Sequence, residues 1–144
     1  MGMFTTGKVC LERLPRGGDL AEAVAARAAA RGIACAEICA VGAVSRARIG
    51  YYLQDRRRYR ELDFPEAMEI VSCLGTITEK DGAPFLHAHL ALAREDGSTV
   101  AGHLLPGTVI FACECLIREL VGDVPRRAHD PDTGLSLWES SFHD

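Results

Sequence analysis

Residues 82–105 read GAPFLHAHLALAREDGSTVAGHLL, and this stretch decides the expected fold. Two runs of alternating residues flank an acidic turn that ends in glycine, a pattern typical of a β-hairpin. Because successive side chains of a strand point to opposite faces, His87 and His89 are predicted to share one face of a sheet. The leucines of the same strand fall on the other face, which is therefore the better candidate for the core side.

The length of the hairpin loop decides whether a third histidine joins this pair. A two-residue turn would place His103 on the face opposite to His89. A three-residue loop that ends at Gly97 instead sets His103 directly across from His89, and it pairs alanine with alanine and leucine with valine. Loops of this length typically need a left-handed residue at their last position, which glycine adopts readily. We therefore predict the three-residue loop and the convergence of His87, His89 and His103.

Three converging imidazoles are a typical ligand set for a divalent metal ion. They leave the fourth tetrahedral position to water or a ligand, as in catalytic rather than structural zinc sites. We predict one Zn²⁺ per subunit, bound by His87, His89 and His103. Imidazole also suits Ni²⁺, Cu²⁺ and Fe²⁺, so the identity of the metal stays open. The alternative interpretation is three ordinary polar side chains on a sheet face.

Two carboxylates are candidates for catalytic roles beside such an ion. Glu69 and Glu114 both occur inside apolar, strand-like runs, where an unpaired carboxylate is costly. Each is therefore a candidate acid–base group or a group that orients a metal ligand.

The rest of the chain predicts one helix and a series of strands. Asp19 is a favourable N-cap and Gly32 a stop signal, so residues 20–31 are expected to be helical after a first strand at residues 8–14. Further strand-like runs occupy residues 34–44, 48–53, 68–78, 85–93, 99–105 and 109–120. The predicted class is α+β, a mostly antiparallel, twisted sheet of about six or seven strands with one main helix packed on it.

Length and composition indicate the number of domains, the cellular location and the state of the cysteines. The 144 residues are typical of one domain, with an expected core at 8–120 and a tail at 121–144 that holds a possible edge strand at 135–138. The chain shows no signal-peptide pattern and no apolar run of the ~20 residues that a membrane span needs, so a cytoplasmic protein is expected. The six cysteines lack C-x-x-C spacing and are expected to be reduced core residues.

One basic cluster gives an alternative function. Arg56, Arg57, Arg58 and Arg60 are expected on a loop or hairpin tip, where they could contact nucleic-acid phosphates. Acidic residues flank the cluster, and the net charge of −4 disfavours a general nucleic-acid binder. A solvated loop is the alternative interpretation.

Taken together, several motifs resemble the plant and prokaryote conserved (PPC) domain, and specifically its prokaryotic single-domain branch. They are LPRGGDL at 14–20, AVGAV at 40–44, EIVSCLG at 69–75, PFLHAH at 84–89 and GHL at 102–104. The resemblance implies an α/β domain around an antiparallel sheet that assembles as a homotrimer. It also implies that His87, His89 and His103 occupy the positions where prokaryotic members can hold zinc.

The expected protein is thus a cytoplasmic homotrimer with a three-histidine zinc site. A small ligand at the open metal position would make it a metal-dependent enzyme or a ligand-binding protein. The alternative is a DNA-binding or transcription-associated assembly module.

Overall fold

The computed structural model describes residues 2–139, which form one helix and nine strands. In chain order the elements are β1 (Thr5–Leu14), α1 (Leu20–Ala30), β2 (Ala36–Leu53), β3 (Arg58–Phe64), β4 (Met68–Lys80), β5 (Ala83–Ala93), β6 (Thr99–Leu104), β7 (Val109–Val121), β8 (Arg126–His129) and β9 (Ser136–Trp138). The expected α+β class is confirmed. No helix among these residues is long and apolar enough to span a membrane.

Helix α1 begins and ends close to the predicted residues. The Asp19 carboxylate accepts a hydrogen bond from the Glu22 amide at 3.1 Å, as an N-cap side chain should. Its second oxygen accepts the Gly107 amide at 2.6 Å, which fastens the start of the helix to the loop before β7. The buried side chains Leu20, Val24 and Ala28 lie on one face of α1 and pack into the core of the sheet.

The long strand β2 organises the sheet because it pairs with other strands along its whole length. Its first part, up to Val44, lies between β4 and β7, and its second part pairs with β3 and β6. Four strands therefore form a closed ring, in which β2 pairs with β4, β4 with β5, β5 with β6 and β6 with β2. Gly42 sits at a bulge with φ +141°, and a Cβ there would overlap the Ala112 carbonyl oxygen.

The sheet is larger than predicted and is mixed. Its nine strands include one parallel pairing, between β4 and β8, whereas about six or seven mostly antiparallel strands were expected. The runs predicted at 34–44 and 48–53 are one strand, β2, because the polar residues between them only mark exposed positions. β3 and β8 were not predicted, since both are polar: β3 is held by backbone pairing with β2, and β8 by pairing with β4 and β9. The possible edge strand at 135–138 is confirmed as β9.

The two faces of the sheet differ in burial. Ala88, Leu90 and Leu92 of β5 join the core beneath α1, as the alternation predicted. The opposite face, here called the open face, carries the histidines of β5. A row of directly paired residues crosses this face from β1 to β5, and its members are Leu11, Leu116, Cys39, Leu74 and His89.

Four of the six cysteines are core residues, as expected. Cys35, Cys73, Cys113 and Cys115 are buried, and burial raises the pKa of the Cys73 and Cys115 thiols to about 12. Cys10 is half-buried. Cys39 is exposed, so the expectation of a core position was wrong for it, because its place in β2 faces the open side of the sheet.

The β5–β6 hairpin has the predicted register. The Arg94 amide donates to the Ser98 carbonyl at 2.9 Å, which closes a three-residue loop, and Gly97 has φ +81°. His89 pairs with His103 and Ala91 pairs with Ala101.

Replacement of Gly97 tests this loop. Gly97→Ala should lower the free energy of unfolding by about 1–2 kcal/mol, the cost of a left-handed residue with a Cβ. Gly97→Asn should cost less, because asparagine tolerates this conformation. Urea unfolding measures both variants, and an equal loss for the two would contradict the left-handed loop.

Candidate metal centre

The three histidines predicted as ligands lie together on the open face. One ligating nitrogen from each of His87, His89 and His103 lies within 4.8 Å of the other two. The ring centroids are 5.3 Å apart for His87 and His89, 5.1 Å for His87 and His103, and 5.4 Å for His89 and His103. Two-residue spacing on β5 and the β5–β6 register produce this cluster, and all three histidines belong to strands rather than to a loop.

Aromatic packing orders His103. The ring of Tyr59 on β3 stacks on it with centroids 5.0 Å apart and an interplanar angle of 29°. Tyr52 contacts Tyr59 edge-on at 5.0 Å. Burial, with a smaller contribution from Tyr52, raises the pKa of Tyr59, so this ring stays a neutral phenol beside the cluster.

Two observations indicate that the histidine cluster suits a metal ion. His103 Nδ1 is buried and has no hydrogen-bond partner among the described residues, although an unpaired buried nitrogen is costly. Burial, the other two histidines and Arg127 lower the pKa of His103 to about 4. Burial, Arg127 and His89 also lower the pKa of His87. Both imidazoles are therefore neutral at pH 7, which is the form that binds metals.

A cavity of about 340 Å³ opens beside the cluster. His87 and His103 lie in its wall, together with the rings of Tyr52, Tyr59 and Phe85. His89 is exposed and is not among the described residues that line the cavity. A molecule in the cavity would therefore meet the imidazoles of two different strands.

The C-terminal segment forms the far wall of this cavity. Arg127 donates from Nε to Thr78 Oγ1 at 3.0 Å and from Nη1 to the Ser136 carbonyl at 2.9 Å. Its guanidinium lies 5.3 Å from the Phe85 ring centroid and 5.8 Å from that of Trp138. Arg127 was not among the predicted site residues, and the only signal nearby in the sequence was the predicted edge strand that holds Trp138.

Two further contacts fix the same segment against the cavity. The Tyr52 hydroxyl donates to the Thr133 carbonyl at 2.7 Å, and Arg57 Nη1 donates to the Pro131 carbonyl at 2.9 Å. The tail after β7 is thus part of the site rather than a free extension.

The structure does not bring the two candidate catalytic carboxylates to this cluster. Glu69 is exposed and pairs with Ala93, four residues along β5 from His89, which is about 13 Å at ~3.3 Å per residue. Glu114 is also exposed and lies on β7, which other strands separate from β5. Both side chains face solvent, so the expected cost of a buried carboxylate does not apply to them.

The four arginines of the basic cluster lie in different environments. Arg56 forms an ion pair with Asp55 at 3.5 Å. Arg57 and Arg58 border the cavity beside the histidines. Arg58 also lines a second, open groove with Arg56 and Arg60.

Comparison with known proteins identifies the family. The model of the Plants and Prokaryotes Conserved (PCC) domain matches residues 1–121. The chain belongs to the PCC domain family. The resemblance that the motifs suggested is thereby confirmed.

Solved structures of PCC-like proteins share the whole fold. A metal-containing protein from Archaeoglobus fulgidus is 40% identical, with a TM-score of 0.92 over 96% of this chain and 98% of the other. A plant- and prokaryote-conserved (PPC) protein from Pyrococcus horikoshii is 35% identical, with a TM-score of 0.91 over 96% of each chain. A protein from Bacteroides thetaiotaomicron, named as a candidate DNA-binding protein, is 26% identical, with a TM-score of 0.84 over 95% and 97%. Comparison with curated proteins finds no significant match.

Proposed function

We propose that this PCC-domain protein binds one zinc ion per subunit through His87, His89 and His103, and a small ligand in the cavity beside it. The observation that carries the proposal is the convergence of three imidazoles, one of which has a buried nitrogen without a hydrogen-bond partner in the described part of the chain. The name of the Archaeoglobus fulgidus relative, a metal-containing protein, supports it.

The donor set explains the choice of metal and the kind of chemistry. Three neutral imidazoles suit Zn²⁺, whose three-histidine sites keep one position open. When bound, such an ion polarises a carbonyl or lowers the pKa of a bound water to about 7. The chain itself holds and shields the ion, because His103 lies under Tyr59 and the C-terminal segment covers the cavity. An enzyme and a ligand-binding protein would share these features.

Metal content after removal of one ligand tests the site. Wild-type protein purified without chelator should contain about one metal ion per chain. His103→Ala should weaken zinc binding by at least ~100-fold, since loss of even an outer hydrogen-bond partner of a metal ligand costs about 10–100-fold. His129→Ala is the matched control, because His129 is an exposed histidine of β8 outside the cluster.

Plasma emission spectroscopy measures the metal content, and competition with a chromophoric chelator measures the zinc affinity. Metal-free wild-type protein that takes up no zinc at neutral pH would contradict the proposal. Equal affinities for His103→Ala and His129→Ala would also contradict it.

We also propose that the protein is a homotrimer that assembles through the open face. Large apolar side chains are exposed on this face, among them Leu11 at 76% and Leu74 at 57%. Contiguous exposed apolar surface of this kind typically marks an interface. Because the row from Leu11 to Leu74 continues to His89, the interface would lie beside the metal centre. The number three follows from the PPC-like motifs of the sequence.

Light scattering tests the assembly. The wild-type protein should have about three times the mass of the 15.6 kDa chain. Leu74→Asp should shift it toward the monomer, because a carboxylate in an apolar interface is costly. Val121→Asp should leave the mass unchanged, since Val121 is an exposed apolar residue outside the row. A monomeric wild type, or equal behaviour of the two variants, would rule out this interface.

A cytoplasmic location is part of the same proposal. All six cysteines are free thiols, which is typical of proteins in reducing compartments.

DNA binding is the second candidate function. The name of the Bacteroides thetaiotaomicron relative favours it, as does the open groove lined by Arg56, Arg58 and Arg60. If the groove contacts phosphates, duplex affinity should fall steeply with salt, and the log–log slope should shrink by about 0.9 for each phosphate contact that is removed. Fluorescence anisotropy with Arg56→Gln and Arg60→Gln measures this slope, and no binding at ~50 mM salt would remove this candidate.

A further inference from the structure

The cavity beside the histidines carries a strong excess of positive charge. Arg57, Arg58, Lys80 and Arg127 all line it, and none of the described residues in its wall has a carboxylate. Across residues 2–139, none of these four side chains has a carboxylate oxygen within 4.0 Å. Most other arginines in the described part of the chain do have such a partner. The imbalance is therefore local to the cavity.

Among the described residues, the lack of an anionic partner is clearest for the guanidinium of Arg127. Its guanidinium is half-buried between Phe85 and Trp138, and its hydrogen-bond partners are a hydroxyl and a carbonyl, both uncharged. Nη2 has no hydrogen-bond partner among the described residues. Burial of a cation without an opposite charge is unfavourable, and the lowered pKa of Arg127 reflects this burial.

A metal ion on the three histidines would increase the imbalance. Neutral imidazoles do not offset the charge of a divalent cation, and Arg127 lines the same cavity as His87 and His103. Like charges repel more strongly in a partly buried site than in bulk water. An anionic ligand relieves both the repulsion within the cavity and the charge of the ion.

The other walls of the cavity are apolar and aromatic. Phe85 lies beneath two cations, since Lys80 Nζ is 5.2 Å and the Arg127 guanidinium 5.3 Å from its ring centroid. Tyr59, Leu135 and Leu137 line the remainder. The volume of about 340 Å³ is at the lower end for small-molecule sites. Such a surface suits a ligand with one anionic end and a compact apolar body.

We infer that Lys80 and Arg127 anchor the carboxylate of a small organic acid whose body lies against Phe85 and Tyr59, beside the three histidines. This inference names the ligand class of the proposed metal site and rests on that proposal. A guanidinium presents a planar pair of donors that matches a carboxylate, and charge-assisted hydrogen bonds are about twice as strong as neutral ones. Tyr59, stacked on His103, places the apolar wall next to the metal ligands.

Benzoate and its neutral isostere benzamide test the inference, with inorganic phosphate as a third probe. Isothermal titration of the zinc-loaded protein should give at least tenfold tighter binding of benzoate than of benzamide. Lys80→Gln and Arg127→Gln should each weaken benzoate binding about tenfold, equivalent to about 1.4 kcal/mol. Arg13→Gln on β1 is the matched control, because it removes one exposed positive charge outside the cavity, and its affinity for benzoate should stay within about twofold of wild type.

The Lys80→Gln variant separates the loss of a positive charge from a loosening of the C-terminal segment. Arg127 also fastens β8 and β9, so its replacement could loosen the C-terminal segment. The Lys80 ammonium group donates no hydrogen bond to the described residues, and thermal unfolding of Lys80→Gln should match that of the wild type. Equal binding of benzoate and benzamide, or no effect of Lys80→Gln, would overturn the inference. Tighter binding of phosphate than of benzoate would also overturn it, in favour of an inorganic oxyanion.

The same titration in metal-free protein separates this inference from the zinc proposal. Benzoate should still bind there, more weakly, with the same dependence on Lys80. If the protein binds no zinc but shows this dependence, the zinc proposal fails and the carboxylate anchor stands. If zinc binds stoichiometrically and the dependence is absent from both forms, the anchor fails and the metal site stands.

Discussion

The hydrogen bond from the Arg94 amide to the Ser98 carbonyl closes a three-residue loop and thereby sets the register of β5 against β6. The candidate site depends on this register. A shift of one residue would send His103 to the core side and bring a core residue of β6 to the open face, because side chains alternate along a strand. Gly97 makes the loop favourable through its left-handed conformation. The geometry of the metal centre thus follows from local turn chemistry, and the surrounding strands only support it.

Electrostatics links the cluster to its surroundings. Partial burial keeps His87 and His103 neutral, while the adjoining cavity concentrates cations that have no carboxylate partner within residues 2–139. In the proposed site, an anion would offset the repulsion that a metal ion meets from the cations of the cavity, and the ion would add to the attraction for the anion. The C-terminal segment completes the arrangement. Arg127 holds it through Thr78 and Ser136, and the same side chain supplies the most enclosed positive charge of the cavity.

Local signals in the sequence were sufficient for the helix, the hairpin and the histidine cluster. Asp19 and Gly32 delimit α1, and strand alternation with one turn length brings three histidines together. Features that depend on distant pairing could not be predicted in this way. Arg127 reaches the site because β8 pairs in parallel with β4, and the polar sequence of β8 carries no strand pattern. Glu69 and Glu114 are exposed because of the face that each strand presents, which hydrophobicity alone does not determine. Cys39 faces the open side of the sheet for the same reason.

X-ray absorption at the metal edge of protein purified without chelator tests the central claim most directly, because it reports the atoms around the ion. We expect a zinc edge, scattering typical of imidazole rings, and nearest neighbours that are only nitrogen or oxygen at about 2.0–2.1 Å. Sulfur at about 2.3 Å would assign the metal to cysteines instead, and it would contradict a site formed by His87, His89 and His103. Unchanged imidazole scattering in His103→Ala would contradict it as well.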